Sequence, residues 1–392
     1  MTTSAAKPQF QVTRTCPVCN SPDSTVTHHN AMAAIDGMDM SYTTGRCTHC
    51  GFHFAVDLPH EDVYIKYYRS VSKYDVPLAI SAVDQMRIQA AVEFCTGKIS
   101  KDAVLLDVGC GYGAMLAGFK AAGWTQLQGV DPAPLSAQRA KSLFDLDRIY
   151  QGTMATVGNA VDLSRIDVVC IMAVLEHLPE LRKDLQGLLA QLVPGTKLLV
   201  EVPAMELFRA EDSEPLGELS LEHIQFFSTA SLSNLMQSLG AQTLASQLVD
   251  IPLVKSGSLF GLFEWTGRPA PVSNRLLTDS GTHFEEYLKA SARTLEAALQ
   301  NIPKGPLWVY GAGSHTARLL PMLDAIPGVD VRGIVDGNSN LVHKPMGRWT
   351  IDSPDAISNW PDLPILVSSF RSQTEIARSL KSRFPNPLIM LY

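Results

Sequence analysis

The chain contains no apolar run approaching the 18 or more residues that a membrane span needs, and its first residues lack the apolar core of a signal peptide. The expectation is a cytoplasmic protein with no membrane partner. A basic excess is missing too. Lys and Arg number 32 against 39 Asp and Glu, a net charge of −7, which disfavours nucleic acid as a partner. Nor is there the even cysteine count of a disulfide framework: of seven, four fall in two close pairs, the pattern of metal ligands beside buried thiols. What is present is apolar material, 46% hydrophobic against 18% charged, ample for packed cores. At 392 residues the chain should divide into two or three domains.

The ten residues 104–113, VLLDVGCGYG, organise the rest. Residues 104–108 read as a buried parallel strand, since Val and Leu dominate without polar alternation until Asp107. Gly109, Gly111 and Gly113 then permit a tight turn and a close approach to a ligand, where a Cβ would collide. Residues 114–122 follow as an apolar-faced helix pointing its N-terminus at that ligand. This is a nucleotide-type site at the carboxyl end of a strand in an open α/β sheet. The G-x-G-x-x-G order of a dinucleotide fold is absent; the order is D-x-G-x-G-x-G. Twenty-four residues past Asp107, a second short strand ends in Asp131. A carboxylate there can accept both ribose hydroxyls, the alternative being a turn or cap beside Pro132. Residues 167–177 read as a fourth strand running into a loop, and residues 197–202 as a fifth.

Together these elements, over roughly residues 85–265, resemble the class I S-adenosylmethionine-dependent methyltransferases. The resemblance implies that Asp107, Gly109, Gly111 and Gly113 hold the methionine end of the cofactor and that Asp131 takes its ribose. It also places Met154 at the adenine, and Leu175 and His177 on the cofactor side of the pocket.

Upstream lie Cys16-Pro-Val-Cys19 and Cys47-Thr-His-Cys50, with 27 residues between the pairs. Two C-x-x-C knuckles let four thiolates converge tetrahedrally on one zinc, and a β-hairpin arm over residues 25–46 fills the gap. With all four positions taken by protein, the zinc is expected to be structural. It would contribute roughly 10–16 kcal/mol to folding a module with little core of its own. Residues 64–72 form an aromatic and hydroxyl-rich strap. It either packs the module onto the core or turns Tyr67 or Tyr68, with Ser70 or Ser72, toward cofactor or substrate; Tyr68 is the candidate. Residues 78–94 carry apolar side chains at helical spacing.

After the fifth strand, residues 203–219 hold five acids and read as a mobile substrate-side loop. It leads to Glu222 and His223, just before a helix over residues 232–239 with Ser228 as a candidate N-cap. His223 either orders its loop through the backbone or removes a proton from the methyl acceptor, with Glu222 orienting it. Residues 241–249 and 257–265 read as a closing antiparallel pair. Residues 269–280 look like a linker, followed by one long amphipathic helix. From residue 306 a second α/β unit begins, with a glycine turn at Gly311 and Gly313 and a strand ending in Asp336, 25 residues after Gly311. Thr316 stands where the third glycine of a dinucleotide fingerprint belongs, so this unit is a phosphate half-site or a structural domain. His315 is placed to meet a phosphate or to cap that helix.

The whole order resembles the nucleotide-sugar C-methyltransferases: four-cysteine module, methyltransferase core, and a C-terminal Rossmann-like domain opening Y-G-A. The expected fold is therefore a Rossmann-like α/β class I core between a zinc module and a second α/β domain. The boundaries are 1–75 for module and strap, 76–268 for the core, 269–303 for linker and helix, and 304–392 for the last domain. The resemblance implies transfer of a methyl group from S-adenosylmethionine to a carbon of a nucleotide-linked keto-sugar, with His223 as base and Glu222 beside it. One departure stands out: the family's Y-x-E-H has Ser220 in place of tyrosine, so enolate stabilisation falls to another group. Oxygen or nitrogen methylation of a sugar or other metabolite remains the alternative, and RNA methylation a more distant one.

Overall fold

The computed structural model describes residues 12–70, 80–272, 279–360 and 362–392. Strands β1 (Val12–Thr13), β2 (Ser24–Asn30), β3 (Tyr42–Cys47), β4 (His53–Ala55) and β5 (Asp57–Leu58) precede helix α1 (Glu61–Ser70). The β2–β3 pair is the hairpin expected between the cysteine knuckles, in antiparallel register from Ser24↔Cys47 to Asn30↔Tyr42.

Helix α2 (Ala82–Cys95) starts later than the periodicity predicts, because Ser81 caps it: its Oγ accepts the amide of Asp84 at 3.1 Å. Then come β6 (Leu105–Val108), α3 (Ala114–Ala121), β7 (Leu127–Asp131), α4 (Ser136–Phe144), β8 (Ile149–Gln151), β9 (Val168–Met172), α5 (Leu181–Leu189) and β10 (Lys197–Pro203). After a loop follow β11 (Gln225–Phe226), α6 (Thr229–Leu239), β12 (Ala241–Ile251) and β13 (Ser256–Trp265). Seven of these strands form one sheet in the order β12-β13-β10-β9-β6-β7-β8. It is parallel except at β13, which runs antiparallel to both β10 and β12. Every residue of β6 is buried. Leu105 packs with Phe119 and Trp124 on one face, Leu106 and Val108 with Val169 and Ile171 on the other. That two-sided burial is why the strand reads as a continuous apolar run, each such side chain contributing roughly 1.5–3 kcal/mol.

Helix α6 begins three residues earlier than predicted, because Ser228 and Ser231 make a reciprocal capping box. Residues 203–219 are not the open polar loop their acids suggest. Phe208, Leu216 and Leu219 are buried in a core shared with Phe284 and Tyr287 of α7 (Asp279–Leu299). Of the five acids only Glu211 and Asp212 are exposed, and Glu206 accepts the amide of Thr229 at 2.7 Å, so the acids hid a largely packed segment.

The C-terminal unit holds β14 (Gly305–Tyr310), α8 (Ser314–Asp324), β15 (Val329–Val335), β16 (Pro345–Met346), β17 (Trp349–Asp352), β18 (Ile365–Val367), α9 (Gln373–Arg383) and β19 (Leu388–Met390). Its sheet order is β16-β17-β15-β14-β18-β19, parallel except for the β16–β17 pair. Among the described residues no helix is long and apolar enough to cross a membrane.

The N-terminal sheet has the order β11-β4-β3-β2. Its edge strand β11 lies far down the chain, two residues past His223. The module therefore closes on a piece of the methyltransferase region rather than being complete in residues 1–75. One apolar core continues from Met38 and Tyr42 through Leu219 and Phe284 to Leu307 and Leu320, joining module, loop, α7 and C-terminal unit.

Candidate active site

The glycine loop runs off the end of β6 with φ of +84° at Gly109, +53° at Gly111 and +86° at Gly113, the left-handed region that glycine adopts without strain. A Cβ on Gly109 would come within 2.5 Å of Val174, whereas one on Gly111 would meet nothing within 4 Å. What Gly111 supplies is thus its backbone angle and its amide, which donates to Asp131 Oδ2 at 2.7 Å. Asp131 Oδ1 accepts from the amide of Ala133 and the hydroxyl of Ser136, each at 2.9 Å. Asp131 thus fills the turn-and-cap role that the sequence offered as the alternative to ribose binding. Asp107, beneath the loop, has a buried Oδ1 with no hydrogen-bond partner. Burial, then the charge of Asp131, pushes its carboxyl up to about 8. A cation arriving there would find an acceptor in wait.

Met154 and Leu175 are buried in the core that includes Val130 and Val157. The side chain of Tyr68 lies outside the described residues, as do Ser70's and the whole of Ser72. Its neighbour Tyr67 is described: it is buried and its hydroxyl donates to Glu222 Oε1 at 2.7 Å.

The loop carrying Glu222 and His223 is held from several sides. Ser220 Oγ accepts the amides of Glu222 at 3.2 Å and His223 at 3.0 Å, a local side-chain turn. The Tyr42 hydroxyl, from β3, is shared between the carbonyls of Ser220 at 3.1 Å and His223 at 2.9 Å. Just beyond, the amide of Ile224 donates to the carbonyl of Glu176 at 2.9 Å, and that of Ala55 to the carbonyl of Ile224 at 2.8 Å. His177 meets this loop: its Nδ1 is 3.1 Å from the Glu222 carbonyl, and its ring stands edge-on to His223 with centroids 5.0 Å apart.

Glu176, His177, Glu222 and half-buried His223 line one wall of a cleft of about 870 Å³. Tyr310–His315, Asp336 and residues 368–372 of the C-terminal unit line the other. The glycine loop after β6 is not part of that lining. The sequence did not mark Arg87, Glu201 and Ser258, which also face the cleft. Arg87 clasps Glu201 in two hydrogen bonds, one at 3.1 Å from Nε to Oε1, and the Ser258 hydroxyl donates to the same oxygen at 2.5 Å. An arginine inside a helix and a glutamate inside a strand carry no motif; only the fold pairs them.

In the C-terminal unit the amide of Ala312 donates to Asp336 Oδ2 at 2.7 Å, the same loop-to-acid bond as Gly111 to Asp131. Thr316, at the missing-glycine position, donates to the carbonyl of Gly311 at 2.7 Å. His315 caps nothing. It is buried, with Nδ1 3.0 Å from Ser368 Oγ and Nε2 2.8 Å from the Tyr392 hydroxyl. Desolvation lowers its pKa to about 4, so it is neutral.

Cys16, Cys19, Cys47 and Cys50 bring their sulfurs within 4.8 Å of one another, with Cys16–Cys50 at 3.6 Å and Cys19–Cys47 at 3.5 Å. A disulfide would need about 2.05 Å. Four sulfurs about 2.3 Å from one tetrahedral ion lie about 3.8 Å apart, so this donor set fits a metal.

Fold and loop geometry together define an α/β methyltransferase domain. Residues 83–246 match a protein-family model described as "Methyltransferase domain". The chain thus carries a methyltransferase domain and is an enzyme. No curated protein matches it. Among solved structures it is similar to the 1,6-didemethyltoxoflavin-N1-methyltransferase of Burkholderia thailandensis, bound to 1,6-didemethyltoxoflavin and S-adenosylhomocysteine. The identity there is 19%, covering 55% of this chain and 96% of that one, with a TM-score of 0.41. It is also similar to the magnesium protoporphyrin IX methyltransferase of Synechocystis PCC 6803 with bound S-adenosylhomocysteine, at 14% identity, 53% and 100% coverage and a TM-score of 0.40.

Proposed function

We propose that the protein methylates a carbon of a nucleotide-linked keto-sugar, the sugar lying in the cleft between the methyltransferase domain and the C-terminal unit. The observation that best supports this reading is the cleft itself. One wall carries Glu222 and His223, and the opposite wall carries a glycine turn and strand-end acid, Gly311 and Asp336, of nucleotide-binding form. An acceptor with a nucleotide handle and a reactive sugar spans two such walls.

S-adenosylmethionine supplies an electrophilic methyl when bound. Asp107 and the Gly109–Gly113 loop hold its methionine end and Asp131 its ribose. His223 takes the α proton of the keto-sugar, and the enolate carbon so formed would accept the methyl that the cofactor supplies, the C–C bond forming as the S–C bond breaks. Glu222 orients the base. Ser220 is occupied with two amides, so of the phenols lining the cleft, Tyr67 and Tyr310, we assign Tyr67, beside Glu222, the hydrogen bond to the enolate oxygen, its hydroxyl turning from Glu222 Oε1 to make it. Zinc in the four-cysteine cluster is structural and stands away from this chemistry.

The test is methyl transfer against a panel of nucleotide sugars, read as a mass gain of one methylene, with His223→Ala alongside. We expect a keto-sugar nucleotide to react, and His223→Ala to lose at least a hundredfold in rate while binding cofactor normally. Reaction of hydroxyl acceptors alone would move the chemistry to oxygen.

A further inference from the structure

Glu176, His177 and His223 present a carboxylate oxygen and two ring nitrogens that all lie within 4.8 Å of one another. The Glu222 carbonyl 3.1 Å from His177 Nδ1 can only accept, so Nδ1 carries the proton and Nε2 presents a lone pair. That nitrogen lies 3.8 Å from Glu176 Oε1. The second oxygen of Glu176 is buried without a hydrogen-bond partner, on a residue only 1% exposed. Around it stand Glu201 of β10, Glu222 of the loop and Arg87 of α2, and the arginine is committed to Glu201. Burial, then the charge of Glu201, pushes the Glu176 carboxyl up to about 8. The cluster calls for a positive partner, either a proton or a metal ion.

We propose that Glu176, His177 and His223 form a two-histidine, one-carboxylate site for a divalent first-row ion such as zinc or cobalt, distinct from the four-cysteine cluster. Imidazole and carboxylate suit such ions. Bonds of about 2.0–2.2 Å would draw the donors to about 3–3.5 Å apart, so the cluster tightens around the ion. The bond from His177 Nδ1 to a backbone carbonyl is the outer-shell contact that fixes the ring of a ligating histidine. A bound ion takes the lone pair of His223 that proton removal needs. The ion is therefore a reversible inhibitor, displaced by the acceptor. That consequence rests on the base role assigned to His223 above; the site itself does not.

The experiment titrates cobalt(II) into the full-length protein with its four-cysteine cluster filled by zinc, following visible absorbance and counting bound ion by equilibrium dialysis. We expect one further equivalent with nitrogen and oxygen coordination and no thiolate charge-transfer band. Its affinity should fall at least tenfold in Glu176→Gln and in His223→Gln, and stay unchanged in Asp336→Asn. The absence of a further equivalent, or an affinity in both variants unchanged from the parent protein, overturns the site and leaves a proton on Glu176 as its neutralising partner. Turnover plays no part in this readout, so a wrong acceptor class would not alter it.

Discussion

At the scale of single residues the decisive fact is an unpartnered carboxylate oxygen under the glycine loop. Asp107 has an ordinary value of 3.8 and is held near 8 in the folded chain. The folded state therefore binds more protons than the unfolded one between those values, and this group's contribution to stability falls as pH rises from about 4 to 8. Asp107→Asn should accordingly raise the unfolding temperature of the cofactor-free protein at pH 8, and by less at pH 4. The same change should weaken S-adenosylmethionine at least tenfold by calorimetry if Asp107 holds its methionine end as proposed. An unchanged melting temperature at pH 8 would mean that the carboxylate is satisfied in solution. Tyr67→Phe tests the second residue-scale assignment: methyl transfer should drop about 10²–10³-fold with cofactor affinity intact. Both aspartates of the loop were legible in the sequence because spacing alone marks them. Tyr67 was legible only as one of two neighbouring tyrosines, the sequence candidate being Tyr68, because the strap carries no motif that tells them apart.

At the scale of elements the two-residue strand β11 carries the most. It pairs with β4, and β4 follows directly on the Cys47–Cys50 knuckle, so the four-cysteine cluster and the His223 loop adjoin one sheet. Cys19→Ser, or chelation of the cluster, should therefore raise hydrogen exchange at residues 219–226, not only at residues 16–50, and slow methyl transfer while leaving cofactor affinity unchanged. Exchange confined to residues 16–50 would separate the two. The long apolar strands β6 and β10 and the β2–β3 hairpin could be read directly, because period and spacing specify them. β11 could not: a two-residue strand has no period, and its pairing partner lies some 170 residues away. The burial of Phe208, Leu216 and Leu219 was masked in the same way, by intervening acids.

At the scale of the molecule the three parts meet at Arg318 of α8. It is buried, with Nε 3.4 Å from Asn30 Oδ1 of β2 and a second nitrogen donating to the carbonyl of Leu219, just before Ser220. Its third contact is Glu214 at 3.9 Å. Arg318→Ala should cost about 3 kcal/mol, read as a lower melting temperature, because it strips charge-assisted hydrogen bonds from buried acceptors in two other parts at once. Arg318→Lys should recover part of that loss. Such a junction keeps the glycine turn at Gly311 in the same cleft as His223. The most direct test of that arrangement as a carbon-methylating site needs no methyl donor. The protein is incubated in D₂O with a nucleotide-linked keto-sugar and S-adenosylhomocysteine, and the sugar is examined by NMR. Deuterium should enter at the carbon beside the carbonyl, and His223→Ala should abolish the exchange. A keto-sugar that the protein methylates yet never exchanges, or exchange that persists in His223→Ala, would contradict the assignment of His223 as the base.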